Sequence, residues 1–437
     1  MQKVMQKGNR FMRIGRSGGF NRFASPLWKS LLILLFSGII ILMGGSAQQL
    51  PKLSGALQML LYQYSFGFDA AQAYAQTQGV EIRRTETGDR LTVVVESMRN
   101  VTALIQAHGG LLQAKYKNLW QVDMPLDRLQ PLAMAATVSY IRLPQVASLA
   151  DPIIPIFAKQ RQRDSKALPL DAPIISEGAA LTGALDLQAR GITGQEVKVG
   201  IIDLGFAGLD EIIQRGELPE DVVAWNCLGR RTTEEEFGCR RVSPQELSQA
   251  SKRGVHGTAV AEIVHDVAPE AELHLFLINT EVELGQAVTK AMDEGIRVIN
   301  HSVAWFNDGS FYDGHGITGQ IVRDAWQNGI FWVNAAGNFA QTHYQGVFRD
   351  EDGDGYHDEA IRLELEEGQE VYAFFTWDAW PRTDEDFDLI LERVKGAKVV
   401  ALSHVPQSGT EPDERLVAVV DEGGAYRLRI KLSLIHI

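Results

Sequence analysis

Two kinds of motif are missing from this sequence, and their absence limits what the protein can be. Only two cysteines occur in 437 residues, and there is neither a C-x-x-C pair nor an H-E-x-x-H string. These are common ligand spacings of zinc sites, so no zinc centre is predicted. No apolar run reaches the ~20 residues that a membrane-spanning helix needs, which excludes a multi-span membrane protein.

Positive charge is also scarce. The chain has 42 Lys and Arg residues against 55 Asp and Glu residues, a net charge of −13. Because binding to nucleic-acid phosphates needs a basic surface, nucleic acid is not expected as a main partner. The near-average composition, with 45% hydrophobic and 22% charged residues, excludes collagen, long coiled coils and wholesale disorder. At roughly 100–200 residues per domain, the length predicts two to four domains.

The basic residues that do occur are concentrated at the start of the chain. Met1–Lys29 holds seven of them and no acid, so removing this segment from the net charge of −13 leaves −20 for the rest. A 13-residue apolar stretch, Leu31–Met43, follows, and then small residues up to Ala47. We predict that residues 1–47 are a secretory signal peptide cut after Ala47, which gives an extracellular or periplasmic protein without other membrane contact. An uncleaved N-terminal anchor is the alternative.

The two cysteines lie close together in the sequence. Cys227 and Cys239 flank a polar, loop-like segment. In an oxidising compartment two cysteines that close a short polar loop form a disulfide, and we predict one here. Two free thiols are the alternative.

Hydrophobic patterning divides the exported part of the chain. Within residues 48–150 the sequence from Leu91 to Ile141 predicts the order β-α-β-β-α-β, a ferredoxin-like arrangement. Residues 151–177 are rich in Pro, Ala and charged residues without periodicity, and we interpret them as a linker. Residues 178–347 alternate apolar strands with helices, which predicts an α/β fold with a doubly wound, mostly parallel sheet. In such sheets functional residues gather at the carboxyl ends of the strands.

After residue 348 the pattern changes once more. Short strands recur every 10 to 15 residues with turn residues between them and no helix, so residues 348–431 are predicted to form a β-sandwich. Residues 432–437 then form a short tail.

Three local motifs of the α/β region contain residues that can do chemistry. Asp203 ends a buried strand, where a carboxylate could orient a histidine. His256 opens the small-residue helix H-G-T-A, and imidazole is well matched to proton transfer near neutral pH. Asn338 follows the strand of W-V-N-A-A-G-N, where an amide could donate to a developing oxyanion. Each residue also has a structural interpretation: a strand-ending Asp, a helix-capping His and a strand-exit turn.

Taken together, Asp203, His256 and Asn338 in this order resemble the subtilisin-like serine peptidases, or subtilases. The resemblance covers about residues 183–340 and implies the subtilisin-like fold. It implies that Asp203 orients His256, that His256 is the general base and that Asn338 holds the oxyanion. The catalysis so implied requires no cofactor.

The resemblance extends to the expected partners of the protein. The stretch V-I-N-H-S-V-A-W looks like the family's substrate-binding strand, so Ser302, Val303 and Ala304 would pair with the backbone of a peptide. The β-α-β-β-α-β unit looks like the family's propeptide, which would inhibit the enzyme of its own chain. The β-sandwich looks like an insertion placed before the nucleophile. Protein or peptide substrates are thereby implied.

The sequence departs from the family at two points. Leu204 follows Asp203 where the family usually has Ser or Thr. More seriously, no G-T-S-x-A string follows Asn338, and Ser403 and Ser408 lie among predicted strands and turns rather than at a small-residue helix. We therefore interpret the chain as truncated before its nucleophilic serine, and we expect that it forms no acyl-enzyme as given.

An acidic loop opens the predicted sandwich. Asp350, Asp352 and Asp354 stand at alternate positions, with Gly355 sixth, as in the first half of a calcium loop. Position twelve is Ile361 rather than Glu, which excludes a complete EF-hand, although Asp358 or Glu359 could substitute. Ca²⁺ binding and a solvated acidic turn both remain open.

Two functional hypotheses follow from the sequence. The first is a secreted subtilisin-like endopeptidase precursor. The second is a non-catalytic binding or adhesion protein that uses a degenerate peptidase scaffold and Ca²⁺. An unrelated α/β hydrolase is excluded because no G-x-S-x-G elbow occurs in the alternating strand–helix region.

Overall fold

The computed structural model describes residues 10–17, 52–148, 174–230, 237–309, 311, 313–339 and 342–433. The predicted signal peptide lies outside this part of the chain except for the strand Arg10–Ser17, and the predicted linker lies outside it up to residue 173. Among the helices of the described part, none is long and apolar enough to cross a membrane.

The helices and strands are named in chain order. The helices are α1 Gly55–Ser65, α2 Phe68–Thr77, α3 Thr102–Ala107, α4 Leu129–Ala133, α5 Glu177–Leu181, α6 Ala184–Gln188, α7 Leu209–Gln214, α8 Pro244–Ala250, α9 His256–Val267, α10 Glu281–Asp293 and α11 Ile317–Gln327. The first twelve strands are β1 Arg10–Ser17, β2 Arg83–Thr85, β3 Gly88–Glu96, β4 Leu111–Tyr116, β5 Leu119–Pro125, β6 Tyr140–Arg142, β7 Lys198–Asp203, β8 Val223–Asn226, β9 Arg240–Val242, β10 Glu272–Leu277, β11 Val298–His301 and β12 Phe331–Asn334. The other strands are β13 His343–Gly346, β14 Ile361–Leu365, β15 Glu370–Trp377, β16 Asp386–Arg393, β17 Lys398–Ser403, β18 Asp413–Val419 and β19 Gly424–Ser433.

Residues 52–148 form an N-terminal domain with one antiparallel sheet. Its strands lie in the order β2-β3-β5-β4, and β6 pairs with residues 94–96 of β3, beyond the stretch that pairs with β2. From β3 to β6 the elements follow the order strand, helix, strand, strand, helix, strand. One core cluster includes Val93, Val95 and Trp120 together with Leu57 and Leu60 of α1, so the first helix is part of this domain.

Helices α1 and α2 occupy a region for which the sequence shows only weak patterning. Ser54 caps α1 by accepting a hydrogen bond from the backbone N–H of Leu57, at 3.2 Å. In α2 only Ala71 and Ala75 are buried, so its apolar stripe is short. Packing against the domain, rather than intrinsic periodicity, therefore stabilises this helix.

Residues 194–339 contain a six-stranded sheet in the order β12-β11-β7-β10-β8-β9. All neighbours pair in parallel except β8 and β9. Consecutive residues of β7 pack in different cores: Ile201 joins one apolar cluster and Ile202 another. Both faces of the central strand are therefore buried, as expected for parallel strands joined by helices.

The strands β13 to β19, which we call the two-sheet domain (residues 343–433), form two antiparallel four-stranded sheets together with β1. Their orders are β13-β1-β15-β18 and β14-β19-β16-β17. Side chains from both sheets, such as Phe375 and Phe387, share one core. Strand β13 joins the first of these sheets through its pairing with β1. β19 ends at Ser433, so residues 434–437 of the predicted tail lie outside the described part.

Cys227 and Cys239 form a disulfide, as predicted. Cys227 follows β8 and is buried in the core on one face of the six-stranded sheet, and its bond partner packs against the same core. The disulfide thus ties the loop before β9 to the sheet.

Candidate functional site

The structure brings Asp203 and His256 into direct contact. The Nδ1 atom of His256 lies 2.6 Å from Oδ2 of Asp203. Asp203 is fully buried at the carboxyl end of β7, and its Oδ1 accepts the backbone N–H groups of Leu204 and Gly205 at 2.7 and 3.3 Å. Because these bonds fix the carboxylate, Asp203 can hold the imidazole in one orientation and leave Nε2 directed away from it.

Two glycines allow this approach. A Cβ on Gly257 would lie 2.8 Å from Cβ of Asp203 and 2.6 Å from the ring of Phe206. The backbone N–H of Gly257 also donates to the carbonyl of Gly205 at 2.7 Å. The glycine of H-G-T therefore lets the first turn of α9 lie directly against the end of β7.

A segment of the N-terminal domain occupies a cleft beside this pair. The backbone N–H of Ser148 donates to the carbonyl of Ala304 at 2.9 Å, and the N–H of Ala304 donates to the carbonyl of Ser148 at 2.8 Å. On the other side, the N–H of Ala147 donates to the carbonyl of Asn279 at 3.0 Å, and Val146 forms an antiparallel bridge with Thr280. The segment 146–148, which we call the cleft segment, therefore lies as an extended strand between two stretches of the α/β domain.

The cleft segment is also held by the loop that carries the histidine. Nη1 of Arg253 donates to the carbonyl oxygen of Ala147 at 2.7 Å. Arg253 precedes His256 by three residues, so the same loop contacts the peptide backbone and supplies the imidazole. Ala147 itself is buried in an apolar cluster that includes Val303. Sequence reasoning missed Arg253, because its role follows only from the contact with Ala147, which is far from it in the chain.

Of the three residues expected to bind a peptide, Ala304 makes the backbone contact described above. Val303 is buried beneath the cleft segment in the same apolar cluster as Ala147. The hydroxyl of Ser302 donates to Oδ1 of Asn300 at 2.9 Å, which fixes the turn that follows β11. Ala304 thus pairs with an extended backbone of its own chain, and the pairing of this stretch with a substrate peptide stays a prediction.

The end of β11 also places a buried histidine beside the pair. Nδ1 of His301 lies 3.3 Å from the carbonyl of Ile202, and Nε2 accepts the indole N–H of Trp305 at 3.0 Å. Burial lowers the pKa of His301 to about 4. The ring is therefore neutral near pH 7, which suits its packing against Trp305 and Trp332. Sequence reasoning did not single out His301, because it is one polar residue within a strand.

Helix α10 forms a second contact with the N-terminal domain. A Cβ on Gly285 would overlap the ring of Tyr116, so the ring lies directly on the helix backbone. Nη1 of Arg142 donates to the fully buried Glu281 at 2.7 Å, and its Nε donates to Glu96 of its own domain at 3.0 Å. The two nearby carboxylates raise the pKa of Arg142 further above its usual range, although burial acts in the opposite direction. This interface therefore contains a buried ion pair.

Asn338 lies four residues beyond the end of β12. Because β12, β11 and β7 run parallel, Asn338 follows the same edge of the sheet that carries Asp203. Its side chain is exposed, and Gly337 before it adopts a φ of 80°. Asn338 therefore lies just beyond the edge of the sheet at which β7 ends in Asp203, and its role as an oxyanion donor stays a prediction.

The two serines considered as nucleophiles lie in the two-sheet domain. Ser403 is buried at the end of β17, and its hydroxyl donates to the carboxylate of Glu414. Ser408 lies in a turn after β17. Neither begins a helix, in agreement with the expectation from the sequence.

The acidic loop brings together two of the three alternating carboxylates and Asp358, one of the two residues considered for the twelfth position. One oxygen each of Asp350, Asp352 and Asp358 lies within 4.8 Å of the others. Asp354 is not in this group and lies 3.7 Å from Arg429 instead. The buried Oδ1 of Asp350 has no hydrogen-bond partner, whereas its Oδ2 accepts the N–H of Gly355 at 3.0 Å. The three clustered carboxylates could supply hard oxygen ligands to a cation.

A family model matches part of the chain. Residues 194–360 match the family model of the subtilase family. No curated protein matches the chain. The matched segment contains the Asp203–His256 pair, the strand end at 302–304, Asn338 and the start of the acidic loop. The resemblance drawn from the motifs is therefore confirmed for this segment, and at the level of the family it indicates a serine peptidase that acts on proteins.

Proposed function

With residues 194–360 identified as subtilase-like, we propose that this protein is a secreted subtilisin-like endopeptidase precursor whose N-terminal domain inhibits its own peptide-binding cleft. The observation that carries the proposal is the position of the cleft segment. It pairs with Ala304 on one side and with Asn279 and Thr280 on the other, and Arg253 ties it to the loop of His256. An extended backbone held on both sides is how a protein binds a peptide by strand addition.

The chemistry assigned to the pair follows from its hydrogen bonds. Asp203 accepts the Nδ1–H of His256, so Nε2 is the basic nitrogen and can take a proton from a serine hydroxyl. Asn338 would donate to the oxyanion once a scissile carbonyl is in place. Acylation of the serine and attack by water would then hydrolyse the peptide bond.

None of these 437 residues is assigned as the nucleophile of the proposed reaction. No G-T-S-x-A string occurs after Asn338, so we expect that the chain alone reacts with no fluorophosphonate probe. Mass spectrometry of the labelled protein would check this. A phosphonylated serine anywhere in residues 48–437 would contradict the assignment of the nucleophile.

Peptide binding offers a test that does not depend on the nucleophile. A Gly285→Ala variant should displace Tyr116 and free the cleft. A fluorescent peptide with the sequence of residues 143–150 should then bind the variant and not the unaltered chain, as measured by anisotropy.

A modified peptide provides the matched control. The same peptide N-methylated at the position of Ser148 cannot donate to Ala304 and should bind at least tenfold more weakly. Equal binding of both peptides, or no binding of either to a variant whose Ala147 and Ser148 amides have lost their protection from hydrogen exchange, would contradict the proposed function.

The acidic loop supports a second, separate role. We propose that Asp350, Asp352 and Asp358 bind Ca²⁺, on the observation that Oδ1 of Asp350 is buried without a hydrogen-bond partner beside two other carboxylates. This agrees with the binding-protein hypothesis as well as with the peptidase. Isothermal titration with CaCl₂ should give a signal that Asp352→Asn weakens and Asp354→Asn changes less. No heat at millimolar Ca²⁺ would exclude the site.

We also propose that the protein is secreted. The basic and apolar leader of residues 1–47 and the disulfide between Cys227 and Cys239 both agree with an oxidising compartment. N-terminal sequencing of protein recovered outside the cytoplasm should start after Ala47.

A further inference from the structure

The two-sheet domain contacts the N-terminal domain on a surface that is separate from the cleft and from α10. At the start of α1, a Cβ on Gly55 would lie 2.7 Å from Cγ1 of Val405 and 2.8 Å from the carbonyl oxygen of Pro406. The backbone of α1 therefore lies directly on the loop that follows β17. Any side chain at position 55 would push the two domains apart.

A second contact lies at β6. The hydroxyl of Tyr140 donates to Oε2 of Glu411 at 2.8 Å, and the guanidinium of Arg382 lies 4.0 Å from the centre of the same ring. Tyr140 is itself almost fully buried. A tyrosine with an apolar body, a satisfied hydroxyl and a cation over its face is a well-anchored contact between two domains.

A third contact involves α2 and β18. A Cβ on Gly79, just after α2, would lie 3.3 Å from Nη1 of Arg415. Helix α2 contacts β18 directly. Burial, together with the carboxylates of Glu414 and Asp413, raises the pKa of Tyr74 of this helix. The contact surface therefore extends over α1, α2 and β6.

Strand β6 joins the two interfaces. Tyr140 is bonded to the two-sheet domain, and Arg142, two residues later, is bonded to Glu281 of α10. The cleft segment begins only four residues after Arg142. Contacts with the two-sheet domain and with α10 therefore both act on the position of the cleft segment, through the short strand β6.

We propose that the two-sheet domain is a second docking surface for the N-terminal domain and holds the cleft segment in place. The inference rests on the proposed function, because it assigns to this domain a part in the inhibition. Its partner is the face of the N-terminal domain formed by Gly55, Gly79 and Tyr140. Two surfaces that hold one rigid domain act together, since release from one leaves the other at a high effective concentration.

Hydrogen exchange of the full chain tests the proposal. The amides of Ala147 and Ser148 donate within the cleft, so their exchange reports how often the cleft segment leaves. Gly55→Val changes only the distant contact with the two-sheet domain, and we expect these two amides to exchange at least tenfold faster. Glu411→Ala, made in the other domain, should act in the same direction.

Val419→Ala is the matched control. It lies on β18 like Arg415 but at the exposed far end of the strand, and it should leave the exchange of both amides unchanged. Wild-type exchange at Ala147 and Ser148 in both Gly55→Val and Glu411→Ala would overturn the proposal. If Gly55→Val also accelerates the core amides of β3, the N-terminal domain itself is weakened, and the result with Glu411→Ala decides.

The readout separates this inference from the proposed function. Exchange at the cleft segment measures docking and does not require that any peptide bond be cut. If the labelled peptide fails to bind the undocked Gly285→Ala variant while Gly55→Val still accelerates exchange, the peptidase proposal fails and the docking surface stands. The opposite pair of results would overturn only the docking surface.

Discussion

Ser148 and Ala304 exchange both of their backbone hydrogen bonds, at 2.9 and 2.8 Å, although 155 residues separate them in the chain. One belongs to the N-terminal domain, and the other follows the strand next to the one that ends in Asp203. This pair joins the domain that the sequence predicts to be inhibitory to the site that it would inhibit.

The ion pair between Arg142 and Glu281 should matter most when only one partner is removed. Arg142→Met leaves a fully buried carboxylate without its cation. We therefore expect the free energy of unfolding to fall by about 3–5 kcal/mol. The double variant Arg142→Met with Glu281→Met should recover most of that loss, because Glu96, which also loses its partner Arg142, reaches solvent. Denaturant titration of both variants checks this, and equal losses in the single and double variants would contradict it.

Arg253 should contribute less to stability than the ion pair of Arg142 and Glu281, because it holds the cleft segment through one charged hydrogen bond. Arg253→Met removes the donor to the carbonyl of Ala147. We expect the free energy needed to release the cleft segment to fall by about 1 kcal/mol. Hydrogen exchange at Ala147 and Ser148 measures it. Lys252→Met, at the exposed neighbouring position, is the control and should have no effect.

Gly257 should be required for the contact between Asp203 and His256. Gly257→Ala places a methyl group 2.8 Å from Cβ of Asp203, so α9 must shift and the bond between Oδ2 and Nδ1 must lengthen. The downfield proton resonance of the imidazole Nδ1–H should then be lost or move upfield. Ile263→Ala, at an exposed position of the same helix, should leave that resonance in place.

His301 should make the protein sensitive to acid. Its pKa is lowered by burial to about 4, so the unfolded chain binds a proton more readily than the folded one. Stability is therefore fully present above pH 6.5 and falls as the pH drops from about 6.5 towards 4. His301→Phe should be less stable at pH 7, because the hydrogen bonds to Ile202 and Trp305 are gone, but its stability should change less between pH 7 and pH 4.5. Urea unfolding at the two pH values measures both effects.

The pH dependence of stability that comes from Asp413 should have the opposite sign to that from His301. Burial and the nearby Glu411 raise its pKa to about 7, although Arg415 and a hydrogen bond from Asn307 lower it. The folded state therefore binds the proton more tightly, and stability falls as the pH rises from about 4 to 7. Asp413→Asn should reduce this fall in unfolding experiments over the same range. A parallel pH profile in variant and unaltered chain would show that Asp413 does not titrate there.

Much of the local structure follows from the order of residues. Buried strands such as β7 and β10 appear as continuous apolar runs, and α10 shows its helical period, because these elements follow from which side chains neighbour each other along the chain. Helices α1 and α2 could not be predicted in this way. Their buried residues are few, and the contacts that stabilise them come from strands far along the sequence.

The acidic loop shows the same limit at smaller scale. Alternation in the sequence predicts Asp350, Asp352 and Asp354 as a set, but Gly353 and Gly355 both adopt positive φ and turn the chain. Asp358 then joins the first two carboxylates and Asp354 lies near Arg429. The direction of a side chain in a turn depends on backbone angles that the spacing of residues does not contain.

The sequence by itself determined the alternating strands and helices of the α/β domain and the disulfide partners, because these depend on residues close together in the chain. The pairing of Asp203 with His256 was implied by the resemblance of the motifs to the subtilases. Only the tertiary structure decided what lies in the cleft and what holds it there. The contacts of Ser148 with Ala304, of Tyr116 with Gly285 and of Tyr140 with Glu411 join surfaces that are far apart in the chain. Their complementarity in shape and charge arises only when the domains have folded, so no spacing in the sequence could express it.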